Sequence, residues 1–386
     1  MIRFLTAGES HGPALSAIIE GMPAHLPIDI NEINRQMKRR QQGFGRGGRM
    51  KMETDQIEIL SGIRFGKTIA SPISFILRNK DWENWTEQMA IVDGQPGREI
   101  TKPRPGHADL SGAHKYDFDD MRNVLERSSA RETAMRVAVG AFVRQFLDKL
   151  NRRIYSHILQ IGKIQADRKK IAEIVKTDQI NELADASEVR CLDKEATARM
   201  IEHITEIKRN GDTVGGIAEV IIRNAPPGLG SYVHWDRKLD ALLAGAIMSI
   251  QAVKGVQIGD GFGAAEKPGS EFQDEIFYDA GRFYHKTNRC GGIEGGMSNG
   301  EDIIVRFMKK PIPTLMKPLK SVDIKTKEAF QAHKERSDVT ALPAAAVIAE
   351  HVAAVVIANA IMDKFGGDTI MEIESALLKY RNRINK

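Results

Sequence analysis

Two histidines stand where the backbone is unusually constrained. His11 lies in Gly8-Glu9-Ser10-His11-Gly12, and His107 lies in Lys102-Pro103-Arg104-Pro105-Gly106-His107-Ala108-Asp109. Glycine beside an imidazole lets a ligand approach closely, two prolines hold the second loop rigid, and imidazole exchanges protons near neutral pH. Arginines cluster beside these candidates. Arg40 precedes the run Gln42-Gly43-Phe44-Gly45-Arg46-Gly47-Gly48-Arg49, which itself carries Arg46 and Arg49, and Arg127 and Arg131 bracket Ser128-Ser129. Guanidinium forks bind carboxylates and phosphates in bidentate fashion, so the chemistry suggested is proton transfer on a small anion. The segment from Gly8 to Gly12 also fits G-x-S-x-G, but a nucleophile elbow needs a strand followed by a helix, and the residues after Gly12 read as a second strand. His107, Asp109 and His114 suggest a metal site only weakly, because no second ligand cluster completes a coordination shell. No metal is expected.

The element that must position these groups runs from Glu126 to Leu150. Ser129 and Glu132 have the spacing of a capping box, which predicts a helix from near Ala130. Ala134, Val137, Ala138, Ala141, Phe142 and Leu147 then form an apolar stripe. Its start gathers backbone N–H groups, hydroxyls and arginines where the helix dipole favours an anion. A second long helix begins near Pro343 and ends before Gly366. Glu126-Arg127-Ser128-Ser129 recurs as Glu335-Arg336-Ser337-Asp338 ahead of it, an echo that hints at two related halves meeting at one site. Asp29 caps a helix reaching about Arg40, and Asp236 caps another that runs to Ile250. Strands are expected at 2–6, 16–22, 57–60, 69–77, 154–164, 214–222 and 254–258.

The whole chain has 386 residues and a formal charge of +5, with acids and bases interspersed. That pattern suits small anionic ligands better than a nucleic-acid backbone, although a Gly-Arg loop between Arg39 and Arg49 leaves nucleic-acid binding as a rival and Ser10 leaves a hydrolase as another. The two cysteines form neither a disulfide framework nor a metal spacing, and the start lacks a secretory pattern, so a cytoplasmic location is expected. The long apolar run from Ala341 to Met362 carries Glu350 and His351 at its centre, which makes it a core helix rather than a membrane span.

Taken together, GESHG at 8–12, RPGHAD at 104–109 and RSSARETA at 127–134 resemble chorismate synthase. The similarity continues through Gln251-Ala252-Val253-Lys254-Gly255, Gly291-Gly292 with Gly295-Gly296, Lys310-Pro311-Ile312-Pro313-Thr314, and Arg336-Ser337-Asp338 before Ala341-Leu342-Pro343. This resemblance implies a single domain over 1–386, of α+β class, a sandwich of antiparallel sheets and helices assembled as a homotetramer. It implies conversion of 5-enolpyruvylshikimate 3-phosphate to chorismate by anti 1,4-elimination, with reduced FMN required and not consumed. By the same resemblance His11 protonates the reduced flavin, His107 assists the phosphate or the flavin, Asp338 helps deprotonate the flavin N5, and Arg40, Arg46, Arg49, Arg104, Arg131 and Arg336 hold a substrate with two carboxylates and a phosphate. Flavin binding is carried over to Arg127, Ser128, Ser129, Gln251, Ala252, Gly295, Lys310, Pro311, Ile312, Pro313, Thr314 and Arg336. Arg40 and Arg46 are also associated with NADPH in related sequences. A chain of this monofunctional kind relies on an external flavin reductase.

Overall fold

The computed structural model describes residues 1–47, 55–94, 97, 99–317, 319–332 and 338–385. Arg49 and Arg336 lie outside the described residues, as does most of the second half of the Glu-Arg-Ser echo. Two antiparallel sheets enclose a pair of long helices. In the four-stranded sheet the order is Arg3–Ala7, Ala14–Glu20, Ile73–Arg78 and Glu58–Ile59. Leu15, Ala17 and Ile19 alternate on one face and pair with Leu77, Phe75 and Ile73, so a period of two delivers one continuous apolar surface. That surface packs on the helix Thr133–Lys149, where Phe75 and Phe142 meet with ring centroids 5.2 Å apart.

The five-stranded sheet runs Val253–Ile258, Ile303–Lys309, Gly216–Arg223, Arg153–Ile161 and Ile164–Gln165. It is apolar on both faces. Ile154, Ile158, Ala218, Val220 and Ile222 join the main core, whereas Tyr155, Leu159 and Ile221 join a smaller cluster with Ile180 and Ala184. The main-core face is covered by the helices Leu239–Met248 and Leu342–Phe365. Leu342–Phe365 in turn packs on Thr133–Lys149, and Gly140 is what permits the close crossing. A Cβ at that position would lie 2.6 Å from the His351 carbonyl oxygen and 2.4 Å from its Cβ. The layers are therefore sheet, helix, helix, sheet, in agreement with the α+β sandwich.

Charges cross these layers as well. Glu350, fully buried at the middle of Leu342–Phe365, accepts from Arg39 at 2.8 and 2.9 Å, from Ser156 at 2.5 Å, and from Arg144 and Arg190. A helix long and apolar enough for a bilayer is thus fixed inside the protein by three guanidinium groups.

The expected limits of several elements shift. The capping box at Ser129 does not form. Ser129 ends the helix Arg122–Ser128 and caps a tight turn over Ala130–Glu132, its hydroxyl accepting from the Arg131 N–H at 3.3 Å, and the long helix begins only at Thr133. The reason lies at Glu132, whose carboxylate accepts from Gln251 at 2.6 Å and from Arg136 at 3.2 Å and so does not turn back to the cap. Asp236 does not cap a helix either; it lies within the short turn Trp235–Arg237, and Leu239–Met248 starts after Lys238. Asp29 caps Ile30–Gln41 as expected, its carboxylate accepting from Asn31 N–H at 2.9 Å. Pro343 and Gly366 bound the second long helix as expected. The N-cap of that helix is Ala341, and the Thr340 hydroxyl accepts from the Leu342 N–H at 3.4 Å, so Asp338 is not its N-cap.

Candidate active site

The segment Glu126–Thr133 is the hub. His11 reaches it from the turn between the first two strands. Its backbone N–H donates to Glu126 Oε2 at 2.8 Å, and its Nδ1 lies 2.9 Å from Oε1 and 3.1 Å from Oε2. Trp85 stacks on the imidazole with centroids 4.0 Å apart. Beside it the Ser129 hydroxyl donates to the Ser10 hydroxyl at 3.1 Å, and the Ser10 N–H donates to the Glu126 carbonyl at 3.0 Å. Because the chain enters the strand Ala14–Glu20 after Gly12, the Ser10 motif lacks the strand-to-helix elbow of a hydrolase.

Arg40 and Arg131 meet at one carboxylate under this hub. Arg131 Nη1 donates to both oxygens of Asp55 at 2.7 and 2.9 Å, and Asn79 accepts from the same guanidinium at 3.0 and 3.1 Å. Arg40 donates to Thr133 Oγ1 and the Ala130 carbonyl, each at 3.1 Å, and lies 3.5 Å from Asp55. Arg40 sits in the last turn of Ile30–Gln41 and is buried, which pushes its guanidinium down to about 10. Asp55 opposes that shift, while Arg131 and Arg46 add to it. Its Nη1 has no hydrogen-bond partner among the described residues.

Arg46 follows on the glycine-rich stretch, largely buried, and pairs with Asp338 at 3.2 Å. The Gly47 N–H donates to the same carboxylate. Arg39, Arg40 and Arg46 are therefore all withdrawn from the surface a nucleic acid would need. Lys309 joins Arg46 and Asp338. It is buried, and burial first, then Arg46, lowers its ammonium to about 8 against the pull of Asp338.

The third group surrounds His107. Its Nδ1 bonds to the buried Asp109 carboxylate, which also accepts from Arg104 Nε at 3.0 Å. Burial raises the Asp109 carboxyl, but the hydrogen bonds from His107 and Arg104 outweigh it and hold the group well below the usual carboxylate range. Arg104 also donates to Thr314 at 3.0 Å, and Lys310 Nζ donates to the Gly106 carbonyl at 2.6 Å, so the loop Lys310–Thr314 is stitched to the His107 loop. The Lys310 N–H donates to the Ala252 carbonyl at 2.8 Å, which adds Ala252 and Gln251. Pro311, Ile312 and Pro313 carry the chain between these contacts, with the Ile312 carbonyl accepting from Thr213 at 2.7 Å. Arg127 reaches Thr6 and Gly8 carbonyls at 2.8 and 3.1 Å from an exposed position. Gly295 stands in the turn of the hairpin Ile293–Glu294 and Met297–Ser298, where an added Cβ meets nothing within 4 Å.

Sequence reasoning missed Glu126, Asp55, Asn79, Trp85 and Lys309 as members of the site. Nothing in the spacing singles any of them out for the site, since each meets its partner there from a distant part of the chain. Asp109 had been read as a possible metal ligand and proves to be the partner of His107. Among the described residues one trio, Asp274, Cys290 and Glu294, has ligand atoms within 4.8 Å of one another. Asp274 already accepts from Thr287 and from two backbone N–H groups.

Within an α+β fold, two histidines with buried carboxylate partners thus stand beside buried cations, the kind of grouping an enzyme site is built from. A family model described as chorismate synthase matches residues 2–362. A chorismate synthase of Sulfurihydrogenibium sp. (strain YO3AOP1) is 55% identical over 100% of this chain and 99% of its own. One from Alkaliphilus metalliredigens is 55% identical over 98% of this chain and 99% of its own. A solved structure described as a crystal structure of chorismate synthase is similar at a TM-score of 0.80 and 40% identity, covering 100% of this chain and 98% of that one. The chain belongs to the chorismate synthase family, and its activity is that of a carbon–oxygen lyase.

Proposed function

We propose that the chain converts 5-enolpyruvylshikimate 3-phosphate to chorismate by anti 1,4-elimination of phosphate, and that it does so as one domain spanning 1–386. The observation that supports this reading is a set of buried cations, Arg40 and Arg131 at Asp55 and Arg46 and Lys309 at Asp338, with His11 held by Glu126 in the same segment as Arg131 and the His107 loop tied to Lys310 beside Lys309. A substrate with two carboxylates and a phosphate approaches a charge of about −4 and would compensate these cations. Arg40, Arg46, Arg49, Arg104, Arg131 and Arg336 are assigned to it, Arg131 with its guanidinium already oriented by Asp55 and Asn79.

Reduced FMN is the proposed cofactor. Ser128 Oγ and Gln251 Oε1 are buried without hydrogen-bond partners among the described residues, as polar groups awaiting a ligand would be, and Ala252 follows in the left-handed region with φ of 66°. These groups fit a flavin. With Arg127, Ser129, Gly295, Lys310–Thr314 and Arg336 they would hold it, and when bound it supplies transient electron transfer to the substrate. The protein's own part is to hold protons in place: His11 gives one, His107 assists at the phosphate or the flavin, and Asp338 accepts one while Arg46 and Gly47 fix its carboxylate. Arg40 and Arg46 are the proposed contacts for NADPH where it serves as reductant. A homotetramer in the cytoplasm, supplied by a separate flavin reductase, completes the proposal.

Anaerobic incubation with the substrate and substoichiometric reduced FMN tests it. Phosphate and chorismate should appear together, with many turnovers per flavin, since elimination leaves the overall redox state unchanged. Full turnover by flavin-free protein would overturn the reading.

A further inference from the structure

We propose that Glu126 is a positioning residue for His11, fixing the imidazole in the Nδ1–H tautomer so that the proton exchanged with a bound ligand travels through Nε2. The inference deepens the acid role given to His11 above and rests on it. Its basis is a two-point grip. One carboxylate accepts both the His11 backbone N–H at 2.8 Å and the ring Nδ1 at 2.9 Å, which fixes the position of the residue and the rotation of its ring together. An ionised carboxylate only accepts hydrogen bonds, so Nδ1 must carry hydrogen in the neutral as well as the charged ring.

Glu126 is built to remain an acceptor. Only 4% of it is exposed, and burial raises its carboxyl, yet the hydrogen bond and charge of His11 outweigh that and hold the group below its ordinary value. Arg122, one helical turn earlier, lies 3.5 Å from Oε1. The ring face is held as well: Trp85 stacks on it at 4.0 Å, the Trp85 Nε1–H donates to Asp81 at 3.0 Å, and the Arg122 guanidinium lies 4.9 Å from the Trp85 ring. Imidazolium loses its Nε2 proton and becomes the neutral Nδ1–H ring without rotating. The bond to Glu126 persists through the transfer, so no reorganisation is needed at the moment of reaction.

The test uses full-length protein labelled with ¹⁵N at histidine. In the free protein, at a pH where the ring is neutral, His11 should show a protonated Nδ1 and an unprotonated Nε2. Glu126→Leu should shift it to the Nε2–H tautomer and lower kcat by about 10–100-fold with KM changed less than about 3-fold. Glu126→Gln retains an acceptor oxygen and should keep the tautomer with a smaller loss. In a His11→Ala background, Glu126→Leu should reduce kcat no further. Glu126→Leu with an unchanged tautomer, or with wild-type kcat per folded molecule, overturns the proposal, as does an Nε2–H ring in the parent protein. The tautomer is read without substrate, so a protein that shows it and yet makes no chorismate refutes the reaction assignment alone.

Discussion

Lys309 is the residue whose setting departs most from what its side chain prefers. It ends the strand Ile303–Lys309 on the inward face, in step with Ile303, Val305 and Phe307, and no hydrogen bond or ion pair reaches its ammonium among the described residues. Its value falls from 10.5 to about 8, a difference worth roughly 3 kcal/mol against the charged form. The sign follows from proton binding. Below pH 8 both folded and unfolded chains carry the proton and the full penalty stands; between 8 and 10.5 only the unfolded chain does, so stability rises with pH. Lys309→Met should therefore raise the thermal midpoint at pH 7, and that gain should shrink by pH 10. A gain of the same size at both pH values would show that the ammonium is not what costs stability. The two histidines were legible because glycine and proline mark their loops. Glu126 was not, since a glutamate inside a helical run reads as a solvated charge until the fold brings His11 against it.

Helix ends and helix contacts obey different rules. Asp29, Pro343 and Gly366 were readable because a cap is settled within about four residues of chain, whereas Ser129 failed because Gln251 and Arg136, from elsewhere in the fold or further along, claimed the Glu132 carboxylate. The echo of Ser129 in Asp338 keeps one regularity: the long helices start at Thr133 and Leu342, each four residues on. Where these helices cross, Gly140 decides how near they come. Alanine is the better helix former by about 1 kcal/mol, but its methyl would fall 2.6 Å from a carbonyl oxygen that cannot move alone. Overpacking of this kind costs about 1–3 kcal/mol, so Gly140→Ala should lower the urea midpoint, with helix content by circular dichroism unchanged below the transition. A midpoint equal to or above the parent's would place the crossing elsewhere.

The whole molecule is tied through Glu350. Burial raises its carboxyl, but Arg39, Arg144 and Arg190 outweigh this and hold it well below 4.5. Its contribution is therefore complete above the unfolded value and is lost as pH falls through the folded one. Removing one partner of a buried ion group leaves the others uncompensated, at about 3–5 kcal/mol. Glu350→Gln should lose that amount at pH 7 in denaturant titration and show a flatter decline toward acid pH; a loss under about 1 kcal/mol would mean the arginines find other partners. By itself the sequence determined what local chemistry encodes: strand alternation, the apolar helices, the loops bearing His11 and His107, and a set of motifs specific enough to indicate the family. Tertiary structure alone decided the pairings across the chain, His11 with Glu126, Arg40 and Arg131 with Asp55, Arg46 with Asp338, and Arg39 with Glu350. Such partners lie many residues apart, where no periodicity or cap relates them. They meet because the apolar faces of two sheets and two helices close on each other, and each buried charge must find an opposite one within that enclosure.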